Sequence, residues 1–152
     1  MKLFKLMMLL CALLGLAACG GGETEAPKAA VVTAPTGTDE LEWKKFVSAA
    51  IKPHYKQGTR VWNYLILPGG DNVRKLETLA NAVRDGLAPP QLFVFAGPDA
   101  AVADLVIEGF KEGKPDTLGG NSLLFVGKRV DEARVRAAVE PSGMSFLFHP
   151  ID

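Results

Sequence analysis

The stretch QLFVFA, Gln91 to Ala96, is apolar at both parities of a period-two pattern, as expected of a strand covered on both faces. Gly97-Pro98-Asp99 then supplies a turn and a cap, and Val102, Leu105, Val106 and Phe110 recur at helical spacing up to Gly113. The unit reads strand, turn, helix. Upstream, RVWNYLIL (Arg60 to Leu67) has the same two-sided character, which predicts that Trp62 is buried within its strand. Pro68-Gly69-Gly70 turns the chain, Asp71 or Asn72 caps a helix, and Val73, Leu76, Leu79, Ala80 and Val83 form its stripe, with Gly86 closing it in left-handed geometry. Ahead of that unit, Leu41, Phe46, Val47, Ala50 and Ile51 predict a helix capped by Thr38 or Asp39 and ended by Pro53, with Trp43 on its polar side. Downstream, a polar loop from Lys114 to Gly120 leads to SLLFV (Ser122 to Val126), a short helix over Asp131 to Val139, a stop at Pro141-Ser142-Gly143, and MSFLF (Met144 to Phe148). Four strands separated by helical crossovers predict an α/β fold, a small three-layer domain with a largely parallel four-stranded sheet in the element order α-β-α-β-α-β-α-β. The last crossover is short, which leaves an α+β arrangement with one antiparallel edge strand as the alternative.

The chain has 152 residues, 17 Lys and Arg against 17 Asp and Glu, and 48% hydrophobic positions. The first nineteen residues hold Lys2 and Lys5 and no acid, so from Cys19 onward 15 basic side chains face 17 acidic ones, a formal charge of −2. Nucleic-acid binding draws its affinity from clustered cations on phosphate. A near-neutral chain with interleaved signs offers no such stripe, and no nucleic-acid partner is expected.

Lys2 and Lys5 precede an apolar run of thirteen residues from Leu6 to Ala18, the shape of a secretory signal sequence. A spanning helix needs about 20 apolar residues, and Gly20-Gly21-Gly22 ends this run early. Within it, Leu16-Ala17-Ala18-Cys19 resembles the lipobox of bacterial lipoprotein precursors. The resemblance covers only the first twenty or so residues and implies cleavage between Ala18 and Cys19. It further implies a diacylglyceryl thioether and an amide-linked third acyl chain on Cys19, hence a membrane-lipid partner. Two or more acyl chains make attachment stable, at about 0.8 kcal/mol per buried methylene. Gly20 stands where inner-membrane-retained lipoproteins of many Gram-negative bacteria carry Asp, so the resemblance favours the periplasmic face of the outer membrane. Cys11 follows the bulky Leu10 and reads as part of the apolar run. With Cys11 removed and Cys19 lipidated, the oxidising compartment finds no thiols to pair.

The organisation that follows is a signal peptide over 1–18, a lipidated cysteine and flexible linker over 19–38, and a single α/β domain over 39–152. The linker GGGETEAPKAAVVTAPTGT has no aromatic residue, and Val31 and Val32 are its only sizeable apolar side chains. As a flexible chain its ends lie on the order of 25 Å apart, and in polyproline geometry it reaches on the order of 60 Å.

In a parallel sheet every strand delivers its following loop to one edge, which gathers Asp71, Asn72, Asp99, Lys128, Arg129 and His149 as a candidate ligand edge. Helix N-termini with free N–H groups, together with Lys128 and Arg129, suit an anion. The same Gly, Pro, Asp and Asn residues also serve as plain turns and caps. Motifs for other chemistry are missing. Pro68-Gly69-Gly70-Asp71-Asn72 fits neither GxxxxGK[ST] nor GxGxxG, no serine sits in a GxSxG elbow, and His54 and His149 are the sole imidazoles. No HExxH or closely spaced ligand set completes a zinc shell. No catalytic residue, metal or cofactor is expected.

The expected function is a non-catalytic protein-binding or scaffold domain in an envelope complex, with another envelope protein as partner. The alternatives are a periplasmic immunity protein or toxin inhibitor, and a binder or weak hydrolase of small anionic ligands acting at the loop edge around Lys128 and Arg129.

Overall fold

The structure is a computed structural model that describes residues 32–152; the signal segment, Cys19 and the linker through residue 31 lie outside the described residues. The elements follow in the expected order: α1 (Glu40–Ile51), β1 (Arg60–Leu65), α2 (Asn72–Asp85), β2 (Gln91–Ala96), α3 (Ala101–Phe110), β3 (Ser122–Gly127), α4 (Arg129–Val139) and β4 (Ser145–Pro150). Short 3₁₀ turns at Lys52–His54 and Glu140–Ser142 extend α1 and α4. The strands pair in the order β1-β2-β3-β4, all parallel. The fold is a small α/β domain. The antiparallel edge strand of the alternative does not form, because α4 and its 3₁₀ turn are long enough to return the chain to the start of the sheet.

Alternation along the strands divides the interior into two layers. Phe93, Phe95, Leu123 and Phe125 face α2, α3 and α4, meeting Leu79, Val83, Val102, Val106, Phe110, Val135 and Val139. Leu92, Val94, Leu124 and Val126 face α1 and meet Trp43, Phe46, Val47 and Ala50. Each buried aromatic or aliphatic side chain of this kind stabilises by about 1.5–3 kcal/mol. Each crossover steps one strand in the same direction, so among the described residues three helices share one face and α1 is the helix on the other. Ahead of α1, Ala34 packs against the α1-side cluster and the Gly37 carbonyl accepts the Trp43 indole N–H at 2.8 Å. The residues just before the helix therefore lie on the domain.

The stripe of α1 is rotated from the expected one. Trp43, Phe46, Val47 and Ala50, spaced three, one and three, form the buried face, and Trp43 is 0% exposed whereas Leu41 is 62% exposed. Val73 in the first turn of α2 is likewise exposed. Trp62 is 37% exposed rather than buried, because β1 is at the edge of the sheet and, among the described residues, only β2 flanks it. Gly86 closes α2 with its N–H on the Ala82 carbonyl, but at φ 83° and ψ 163°, outside the left-handed helical region.

Candidate functional site

The loop edge assembles as topology requires. Asp71 and Asn72 follow β1, Asp99 follows β2, and Lys128 and Arg129 follow β3, all at the carboxyl ends of the strands. His149 does not join them. It sits inside β4 opposite Val126, and its ring lies edge-on to Phe46 of α1 at 5.4 Å, on the opposite face of the sheet from α2, α3 and α4. Burial lowers its pKa, and the charge of nearby His54 lowers it further.

The helix N-termini at this edge are already occupied by carboxylates of the chain. Asp71 Oδ1 accepts the Arg74 N–H at 3.2 Å, Asp99 Oδ1 accepts the Ala101 N–H at 3.0 Å, and Asp152 Oδ1 accepts the Arg129 N–H at 3.1 Å. The Arg129 side chain also donates to the Asp152 main-chain oxygen at 3.2 Å. Asn72 is tied inward by a long hydrogen bond to the Leu67 carbonyl and by Lys75, whose ammonium donates chiefly to the Leu65 carbonyl at 2.6 Å. An arriving anion would meet three carboxylates where helix dipoles alone would have attracted it. Because the strand order never reverses, the helices do not diverge to opposite faces, and no switch-point crevice opens at this edge.

At the opposite edge the electrostatics differ. Between Glu42 and Asp71 the sequence carries Lys44, Lys45, Lys52, Lys56 and Arg60 and no acid. Lys44 pairs with Glu40, but Lys52, Lys56 and Arg60 form no ion pair among the described residues. They cluster where α1 ends and β1 begins. The acid-free run was legible in the sequence; whole-chain neutrality conceals it, since Asp and Glu outnumber Lys and Arg after Gly70.

Two surfaces occupy this corner. The first is the free edge of β1. The Arg60 and Ile66 N–H groups bond Pro90 and Ala96 carbonyls, so residues of that parity turn their main chain toward β2. The alternate residues Val61, Asn63 and Leu65 turn theirs outward. Lys75 takes the Leu65 carbonyl, which leaves the main-chain groups of Val61 and Asn63 open, among the described residues, along an exposed strand. Beside them the Trp62 indole stacks on Phe93 at 6.2 Å, donates its N–H to Gln91 Oε1 at 2.6 Å and carries the Arg60 guanidinium over its ring at 5.9 Å. The aromatic side chain is held rigid and half displayed.

The second surface is a groove of about 350 Å³ on the α1 side, at the amino ends of β2, β3 and β4 and beneath the 3₁₀ turn that follows α1. His54, Lys56, Thr59, Ser122 and Ser145 line it together with Leu92 and Leu147, and among the described residues no acid lines it. A separate, mainly apolar depression between α2 and α3 is bordered by Val73, Leu76, Leu105, Asp104 and Glu108.

No family model, curated protein or solved structure matches this chain. Among the described residues, no three His, Cys, Asp or Glu side chains stand close enough to hold a metal ion, and no helix is long and apolar enough to cross a membrane.

Proposed function

We propose that residues 39–152 form a non-catalytic protein-binding domain, anchored through acyl chains on Cys19 to the periplasmic face of the outer membrane, which docks an envelope protein along the open edge of β1. One observation supports this reading above the others: main-chain groups of Val61 and Asn63 have no partner among the described residues and lie beside a rigid, half-exposed Trp62. An unprotected strand edge is a template for a further strand. Tryptophan and arginine are the residue types that concentrate binding energy. Arg60, Lys52 and Lys56 have no acidic partner among the described residues, so charge complementarity selects an extended acidic segment as the occupant.

A photo-crosslinking residue in place of Asn63, in the full chain expressed in its own envelope, tests the docking. The expected product is an adduct of discrete mass whose linked peptide is acidic and extended, and which disappears with Arg60→Glu or Trp62→Ala. Recovery of free monomer alone would overturn the docking surface. Mass spectrometry of the mature amino terminus tests the anchor separately: an acylated Cys19 is expected, and an unmodified thiol there would remove it.

A further inference from the structure

We propose that the groove beneath the 3₁₀ turn at Lys52–His54 is a binding site for a small organic anion, a carboxylate or phosphate ester with an apolar body. The groove shares the Lys52 and Lys56 corner with the β1 docking edge but uses neither Arg60 nor Trp62, so small-anion binding and the Asn63 crosslink are read separately.

The lining sorts into three chemical parts. His54 and Lys56 bring nitrogen donors to the lining, and among the described residues no acid lines the groove to compete for them. The C-terminus of α1 directs about half a negative charge toward this end of the domain. Lys52 and Lys56 bring two positive charges to the same end. The second part is a set of uncommitted hydroxyls. Serine and threonine hydroxyls that do bond within the chain include those of Thr78, Thr117 and Ser142. Those of Thr59, Ser122 and Ser145 line the groove and make no such bond among the described residues. Third, Leu92, Leu147, Pro53 and Pro90 give the lining an apolar part. A bare inorganic ion would leave that part wet, whereas an alkyl or aryl body would cover it.

Size and rigidity agree with a small molecule. About 350 Å³ lies within the range of about 300–1,000 Å³ usual for ligand pockets. Ser122 and Ser145 are the first residues of β3 and β4, and the pairing Ser122↔Ser145 holds them at one register position. The neighbouring strand start is held by Asn121, whose side chain accepts the Gln91 N–H at 3.0 Å. Hydroxyls mounted on paired strands are presented in fixed geometry, and a preorganised site loses less conformational freedom on binding.

Calorimetric titration of the full chain, purified in a non-ionic detergent, tests the site with phenyl phosphate, benzoate, inorganic phosphate and the neutral benzyl alcohol. Saturable binding of phenyl phosphate or benzoate is expected, tighter than inorganic phosphate, with none for benzyl alcohol; the order of the two aryl anions tells a phosphate site from a carboxylate site. Lys56→Ala should weaken the anion by about tenfold, the loss of one charge-assisted hydrogen bond, and Ser122→Ala with Ser145→Ala should weaken it further. Lys45→Ala removes an exposed cation of the same acid-free run that does not line the groove and should leave affinity unchanged. Absence of saturable binding by all three anions up to about 10 mM, ten times a millimolar Kd, overturns the proposal. So does binding that Lys45→Ala and Lys56→Ala weaken equally, or that benzyl alcohol matches. Circular-dichroism melts of each variant, expected within the small range usual for surface substitutions, keep these readings apart from misfolding.

Discussion

Asn121 Oδ1 accepts the Gln91 main-chain N–H at 3.0 Å across thirty residues of sequence, while its Nδ2 donates to the Leu87 and Leu118 carbonyls, each at 3.2 Å. The residue is 0% exposed. One amide therefore joins the start of β2, the segment after α2 and the loop before β3. Asn121→Ala leaves the part-buried Gln91 N–H and Leu87 carbonyl unmet, while the Leu118 carbonyl keeps the Asn121 main-chain N–H, and should cost about 2–3 kcal/mol given 1–3 kcal/mol for a group left unsatisfied. Asn121→Asp sets a carboxylate against two carbonyl oxygens and should cost at least as much. Urea unfolding of both variants checks this; a loss within about 0.5 kcal/mol, the range of ordinary surface changes, would show that the amide does not staple these segments.

The two tryptophans should separate stability from recognition. Trp43 is enclosed by α1 neighbours, with Phe46 edge-on at 5.8 Å, so Trp43→Ala should cost about 3–5 kcal/mol. Trp62 is partly in water, and Trp62→Ala should cost no more than about 1.5 kcal/mol, the scale of a single aromatic pair, while abolishing the Asn63 crosslink. Acrylamide quenching offers a direct check: the Trp43→Phe protein should be readily quenched and the Trp62→Phe protein strongly protected. The reverse order would place the wrong indole at the surface.

Local periodicity carried most of the fold, because each crossover is a self-contained run of turn, cap and apolar stripe. Asp71 capping α2 and Pro53 closing α1 are legible within a few residues of chain. What escaped was set by distant partners. RVWNYLIL has the composition of a central strand, and only the pairing of β1 with β2 alone, among the described residues, makes Trp62 marginal. Val73 and Leu41 satisfy helical spacing but stand in first turns, where the stripe begins before the covered part of the helix. The occupant of the α4 N-terminus, Asp152, lies twenty-three residues from Arg129, beyond the reach of any capping motif. The buried stripe Trp43, Phe46, Val47, Ala50 was present in the sequence and concealed by the two lysines that follow Trp43.

Close approach of α2 and α3 depends on Gly109. A Cβ at this position would lie 2.5 Å from Leu79 Cδ2 and 2.7 Å from its Cγ. Gly109→Ala should therefore destabilise by about 1–3 kcal/mol, as overpacking does, despite alanine's better helix propensity. Leu79→Ala alone should cost about 2–5 kcal/mol. The added methyl partly refills the space that leucine vacates, so the double variant should be more stable than the sum of the two losses predicts. Strict additivity in chemical denaturation would mean that the two positions do not share one contact.

Stability should also respond to His149. Burial against Phe46 and the charge of His54 lower its pKa below the ordinary 6.5. The folded state then resists a proton that the unfolded chain accepts, so the unfolded state binds more protons as pH falls. The contribution is fully present above about pH 6.5, declines as pH drops below that value, and levels off once pH passes the lowered folded pKa. Urea midpoints from about pH 8 to about pH 5 should fall for the wild-type protein by more than for His149→Phe, which has no proton to take up. His54→Asn removes the second cause while leaving the burial in place, so its slope should lie between the two. Equal slopes for all three proteins would mean that carboxylates alone govern the acid limb, and that the imidazole beside Phe46 accommodates its charge.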